Sequence, residues 1–299
     1  MAQMAGYKTS LSDSELETVM NEAGYAHFLA SGRYAPLDAR VFKLRQQHGL
    51  QGVPTLVAAS LLSKKLAVGV MTAGLDIRVA PHGNFGQTMV EASENAVLFV
   101  QAARLLGLDG RPMLTDGSAP YQPYIGRSEA LAALADIFTG TANSWLLEHV
   151  ETCRRLSLAA VSDECAPLVI SASIEDLYRS FKANVVAQGA SEAAFEQAVL
   201  KVRNATNLEI LADKEGKASV SLEGIRRLLV SAQSAVVLKD IGEFSDPVGI
   251  ILQKRSGDTV VKGDVLATVR VDVVSMRDSL LEGLRAAICV TNLPAETTK

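Results

Sequence analysis

The hydrophobic and polar positions along this chain change period several times, and each change marks an element. Ser12-Asp13-Ser14-Glu15 places a serine and a glutamate three residues apart, as a capping box does, and opens a helix towards Asn21 that Ala23-Gly24 breaks. His27 to Ala30 reads as a strand. Pro36-Leu37-Asp38 starts a second helix through Leu44, and Pro54 starts a third that ends near Gly69. Proline suits both places, because its φ is preset and its missing N–H is not needed in a first turn. Met71 to Ala80 is small and apolar and reads as a buried strand, followed by the turn-rich loop Pro81 to Gly86. Thr88 to Leu106 is strongly periodic helix, and Pro112 to Asp116 is another strand. Strand, loop, helix, strand in that order predicts a right-handed parallel βαβ crossover.

After the loop Tyr121 to Tyr124, the stretch Glu129 to Leu168 reads as helical with Trp145 and Leu146 packing inward, and Ile174 to Lys201 adds helix around Gly189. The pattern shortens at about Ala205. Leu208 to Leu211, Ser219 to Leu222, Val236 to Asp240, Gly249 to Lys254 and Val265 to Val271 are β-like, with a helix at Gly224 to Ser231 and a closing helix from Val274 to Cys289. Asn292 to Lys299 reads as a frayed tail. These elements predict an α/β fold with a mixed, mostly parallel sheet and flanking helices over 1–204. A helical segment at about 36–68 is inserted in it, and an α+β, hammerhead-like module follows at 205–299.

Composition narrows the chemistry. With 299 residues, 48% hydrophobic and 21% charged, the chain is globular in type and long enough for one large domain or two smaller ones. A net charge of -4 without a basic block argues against nucleic-acid or membrane binding and leaves small neutral or anionic ligands open. Cys153, Cys165 and Cys289 are widely spaced and read as free thiols of a reducing compartment. No apolar run approaches a bilayer span and the first ten residues are polar, so a cytoplasmic location is expected.

Candidate chemistry concentrates between Arg45 and Lys65, where an arginine precedes a helix carrying Ser60 and Lys64 four residues apart on one face. A hydroxyl, an ammonium and a guanidinium would offer donors to a small planar ligand rich in carbonyl oxygens; equally, this is an apolar helix ending in a solvated lysine pair. His82-Gly83-Asn84-Phe85-Gly86 could present backbone N–H groups to an anion after its strand, or be a plain turn. Asp116, at a strand end, fits a ligand loop or a turn cap. No phosphate-binding glycine motif, nucleophile elbow or metal-ligand spacing is present, and no metal site is expected. Ser256 to Ala267 resembles a biotinyl-type hairpin. The nearest approach to its modifiable lysine, Asp213-Lys214-Glu215, precedes the Gly-Asp turn, so the hairpins read as structural.

Taken in order, several dispersed segments resemble thymidine phosphorylase and the pyrimidine nucleoside phosphorylases. Ala35-Pro36-Leu37-Asp38 matches the family's Ala-Pro-Ala-Asp, and Arg45 precedes Val53-Pro54-Thr55-Leu56-Val57-Ala58-Ala59-Ser60-Leu61-Leu62-Ser63-Lys64-Lys65-Leu66-Ala67 as an arginine precedes the family's Ile-Pro-Leu-Ile-x-Ala-Ser-Ile-Leu-x-Lys-Lys-Leu-Ala. Leu114-Thr115-Asp116 matches its Leu-Thr-Asp strand end, and Asp246-Pro247-Val248-Gly249-Ile250 with Gly257-Asp258 and Lys262-Gly263 matches its C-terminal module.

The resemblance implies that Arg45, Ser60 and Lys64 hold a pyrimidine base through its carbonyls and ring nitrogen, and that Phe42 lines the same pocket where the family often has a tyrosine. The family's Lys-His and Gly-Ser phosphate loop has no counterpart here, and the family's Asp-Val-Lys-Val-Gly-Ser-Gly-Ala-Phe-Met becomes Asp76-Ile77-Arg78-Val79-Ala80-Pro81-His82-Gly83-Asn84-Phe85. The expectation is a truncated, pentosyltransferase-like subunit that binds a pyrimidine or similar heterocycle or nucleoside and assembles as a homo-oligomer, or as a hetero-oligomer with a chain carrying the phosphate-binding half. Phosphate then enters as co-substrate only where a partner supplies its site, and no other cofactor is expected. His82 and Lys64 are the catalytic candidates, with His82, Asn84 and Asp116 as loop candidates. The alternatives are a non-phosphorolytic enzyme on a nucleoside-like ligand and a non-catalytic, partner-binding protein.

Overall fold

The computed structural model describes residues 1–29, 33, 35–81, 85–237 and 244–292. Along the chain run α1 (Asp13–Ala23), α2 (Pro36–Gln47), α3 (Pro54–Ala67), β1 (Thr72–Val79), α4 (Met89–Leu105), β2 (Asp109–Asp116), β3 (Tyr124–Ile125), α5 (Arg127–Phe138), α6 (Ser144–Ala160), α7 (Ala166–Ser171), α8 (Ile174–Ala187) and α9 (Glu192–Arg203). Then follow β4 (Asn207–Leu211), β5 (Gly216–Val220), α10 (Leu222–Val237), β6 (Val248–Leu252), β7 (Thr259–Val260), β8 (Val265–Val271), a 3-10 turn at Val274–Met276, α11 (Arg277–Ala287) and β9 (Ile288–Thr291). The fold is mixed α/β, and its residues divide into two compact units: Phe28–Ser118 with Glu148–Ser173, and Met1–His27 with Ala119–Leu147 and Ile174–Lys299.

In the first of these units β1 and β2 pair in parallel, from Thr72 opposite Asp109 to Val79 opposite Asp116, with α4 as the crossover. Thr88 starts α4 by accepting the Glu91 N–H on its hydroxyl. Ala92, Ala96, Phe99 and Ala103 of α4 bury against Ala73 and Ile77 of β1 and against Val57, Ala58 and Leu62 of α3. Small residues set this spacing: a Cβ on Gly110 would lie 2.8 Å from the Ala103 methyl, and one on Gly74 would lie 2.7 Å from that of Ala160. Burial of Val57, Ala58 and Leu62 fixes the rotation of α3, and that decides where Ser60 and Lys64 point.

The other unit carries two antiparallel sheets, ordered β3-β6-β8-β4 and β7-β5-β9, with Ile210, Ile250, Leu252, Leu266, Val269, Ile225 and Leu284 among its core residues. Among the described residues parallel pairing is therefore confined to β1 and β2, so the mostly parallel sheet expected over 1–204 is a two-stranded one. Ser12 and Glu15 form the expected capping box and Gly24 ends α1 in the left-handed conformation at φ 76°.

The stretch 127–171 is three helices, broken at 139–143 and 161–165. No strand forms at 27–29, and Ala30 lies outside the described residues. Val236 belongs to α10, whereas 238–240 lie outside the described residues. The closing helix stops at Ala287, because Ile288 to Thr291 pair with β5. Trp145 and Leu146 are buried as expected. Among the described residues no helix is long and apolar enough to cross a membrane.

Candidate functional site

Of the residues singled out by their pattern, Ser60 and Lys64 meet, on the side of α3 that faces Asp38 of α2. Ser60 and Lys64 are one turn apart on α3, and the Lys64 ammonium donates to the Ser60 hydroxyl at 2.9 Å and to the Ser60 carbonyl at 2.9 Å. Its third partner comes from α2: Asp38 Oδ2 lies 2.6 Å from Nζ. The Asp38 side chain is 7% exposed and that of Lys64 35%. The three donors of the ammonium are thus all taken, by the Ser60 hydroxyl and carbonyl and by the Asp38 carboxylate. Asp38 Oδ1 is buried and has no hydrogen-bond partner among the described residues.

Arg45 ends α2 and is buried. Its Nε donates to the Leu50 carbonyl at 3.3 Å, one terminal nitrogen to Leu56 at 3.3 Å and the other to Gln51 at 2.6 Å. Three of the five guanidinium N–H donors hold the α2–α3 connection, which leaves two for another acceptor. Phe42, on the same helix, is exposed, with its ring centroid 6.0 Å from the Arg45 guanidinium carbon. Ser60, Lys64 and Asp38 thus form one polar cluster, and Arg45 with Phe42 forms a second contact in the last turns of α2.

The structure joins Ser60 to Lys64 and adds Asp38, which the pattern of the chain marked only as the start of a helix. Arg45 shapes the neighbouring turn. Asp116 has turned to the Ser118 N–H at 2.9 Å, and the hydroxyl and N–H of Ser118 hold its carboxyl below the usual value. That is the turn cap of the two readings open for this residue. His82 and Asn84 lie outside the described residues.

A second polar centre, in the other unit, escaped the pattern altogether. Arg270 on β8 is buried and donates to Glu129 at 2.8 and 3.1 Å, to Asp246 Oδ2 at 2.7 Å, to the Asp246 carbonyl at 3.0 Å and to Asp272 at 2.7 Å. Asp246 also accepts the N–H groups of Arg127 and Ser128, capping α5. Burial pushes the Glu129 carboxyl above its ordinary value, although Arg270 pulls the other way. Every guanidinium group is committed, so this centre is a staple between α5 and the β6–β8 ladder and leaves no open coordination for a ligand. The only trace in the sequence was the Asp246-Pro247-Val248-Gly249 segment, whose glycine admits the Glu129 carboxyl: a Cβ there would stand 1.8 Å from its carbon.

Comparison of whole sequences finds this mixed α/β chain similar to pyrimidine-nucleoside phosphorylases. The pyrimidine-nucleoside phosphorylase of Staphylococcus haemolyticus is 25% identical over 94% of this chain and 68% of its own length, and those of two Staphylococcus aureus strains, bovine RF122 and USA300, are 25% identical over 92% of this chain and 66% of their length. The chain thus spans about two thirds of the length of these relatives. No family model matches it.

Proposed function

We propose that this chain is a phosphorylase-like, pentosyltransferase-type subunit whose α2–α3 cluster holds a pyrimidine or similar heterocycle, with the phosphate and sugar site supplied by a partner chain. The observation that carries the reading is the Lys64 ammonium held 2.9 Å from the Ser60 hydroxyl, with part of the Arg45 guanidinium free for a further acceptor. Similarity to enzymes named pyrimidine-nucleoside phosphorylases supports the phosphorylase-like part of it. In this reading Ser60 and Lys64 bind the base carbonyls, Arg45 binds one of them while holding its own turn, and Phe42 flanks the ring. Lys64 also supplies positive charge beside the base as electron density flows onto it when the glycosidic bond breaks.

A second reading draws on Arg45, most of whose donors are spent on its own chain: the cluster holds a base without turnover. Titration calorimetry with uracil, thymine, uridine and thymidine, alongside a phosphorolysis assay on the chain alone, tests both. The proposal expects saturable base binding and no phosphate-dependent base release by the chain alone. Base release without a partner overturns the divided site, and the absence of any base or nucleoside binding overturns the base pocket. A partner that restores phosphorolysis excludes the non-catalytic reading.

A further inference from the structure

Asp38 holds a buried oxygen that is unsatisfied among the described residues. It is the third residue of α2, where a carboxylate ordinarily turns back to accept an N–H at its own helix start. Ala35, at the cap position, has no side-chain hydrogen bond, and Asp38 Oδ1 makes none either. Its other oxygen is taken by Lys64 at 2.6 Å. A buried acceptor without a donor is costly, and the deficit lies at the same ammonium that Ser60 holds. A donor from a ligand would remove it. The Lys64 side chain lies against this carboxylate and is one-third exposed, and turning its ammonium from the Ser60 carbonyl to a ligand carbonyl keeps the Asp38 ion pair.

We propose that Asp38 is a ligand-binding residue of the α2–α3 cluster, accepting on Oδ1 a ring N–H that lies between two carbonyl groups, and so selecting imide-type heterocycles over those with a bare ring nitrogen. The proposal rests on the base-pocket reading given above and assigns the ring N–H to a carboxylate acceptor beside the Ser60 hydroxyl. Around one ring edge, Ser60 and Lys64 donate to carbonyl oxygens while Asp38 receives the hydrogen between them. A ring nitrogen with a lone pair would face the carboxylate oxygen directly, two acceptors without a proton, and be rejected.

The test is calorimetric and begins without mutation. Uracil, 1-methyluracil, 3-methyluracil and cytosine are titrated into the full chain. The nitrogen at position 1 is where a nucleoside carries its sugar, so a methyl group there should leave affinity nearly unchanged. A methyl group at position 3 removes the hydrogen in question and should weaken binding about ten- to hundredfold, the range of one hydrogen bond to a charged group. Cytosine, with a bare nitrogen at that position, should be weakened at least as far.

Asp38→Asn gives a second reading. Lysine can only donate, so the amide oxygen stays on Lys64 and the NH2 replaces Oδ1, turning an acceptor into a donor. The variant should lose uracil affinity about tenfold or more and gain cytosine affinity. Equal binding of 1- and 3-methyluracil overturns the role of Asp38 and leaves the base pocket standing, as does a folded Asp38→Asn protein with unchanged preference. Failure of every pyrimidine to bind the wild-type chain overturns both.

Discussion

Replacing Arg270 with methionine removes the cation from the most buried charged centre of the molecule, and its consequence follows from the partners left behind. Glu129 and Asp246 have side chains only 1% and 2% exposed, whereas Asp272 is one-third exposed and lies 3.3 Å from Lys201. Asp272 can therefore relax into water and keep a counter-charge. Asp246 keeps the N–H groups of Arg127 and Ser128. Glu129 loses both of its bonds to Arg270 and becomes an uncompensated charge against Gly126 and Gly249. Breaking one partner of such a pair costs about 3–5 kcal/mol, a large part of a typical domain stability of about 5–15 kcal/mol.

Glu129 can escape by taking a proton. Its folded value already lies above the ordinary one and rises further without Arg270, so the variant's deficit should be largest above neutral pH and shrink as pH falls towards the ordinary carboxyl range. Glu129→Gln in the Arg270→Met background should recover part of the loss at pH 8. The assay is urea unfolding followed by fluorescence of Trp145, the single tryptophan, which is buried in the same unit. A loss below about 1 kcal/mol at pH 8, or one independent of pH, would refute the argument.

Three further outcomes follow. Burial, then the charge of the chain's amino terminus, holds the His27 imidazole below its ordinary value, while Asn184 works in the opposite direction. The unfolded chain therefore takes up the proton first as pH drops, so stability is intact above about pH 6.5 and declines below it, and His27→Gln should flatten that decline in urea titrations from pH 7.5 to 5. Gly74→Ala would set a methyl 2.7 Å from that of Ala160 and should lower stability by about 1–3 kcal/mol in thermal melts; an unchanged melt would show that β1 and α6 are less tightly packed than described. Ser12→Ala removes the capping-box acceptor of α1 and should cost about 1 kcal/mol, whereas Ser14→Ala, at an exposed position beside it, should cost little.

The parts of the fold that were legible are those whose reasons are local. The β1–α4–β2 crossover follows from apolar period and turn residues, and α1 from its capping box. The segment at His27 misled because its backbone groups bond to a side chain: Gln188 accepts the His27 N–H at 2.7 Å and donates to its carbonyl at 2.7 Å, where a strand would use a ladder. Such a partner, 161 residues away, leaves no trace in hydrophobic alternation. Cys289 looked like the end of a helix because an apolar run alone does not distinguish helix from strand, and pairing with Ser219 decided it. At the candidate site the Ser60–Lys64 contact was readable, since both lie on one helix. Asp38 as the ion partner was not, because it depends on how α2 packs on α3. The commitment of Arg45 to Leu50, Gln51 and Leu56 likewise depends on the path of the connecting turn.

The central claim, that the cluster of Ser60, Lys64 and Arg45 holds a pyrimidine base, is tested most directly by comparing uracil titrations of the wild-type chain and Ser60→Ala. Alanine removes one hydroxyl and leaves the Lys64–Asp38 ion pair in place, so folding should be preserved while one donor to the base is lost. Binding should be saturable in the wild type and about tenfold weaker in the variant. Equal affinities for the two proteins, or no heat of binding to either, would contradict it.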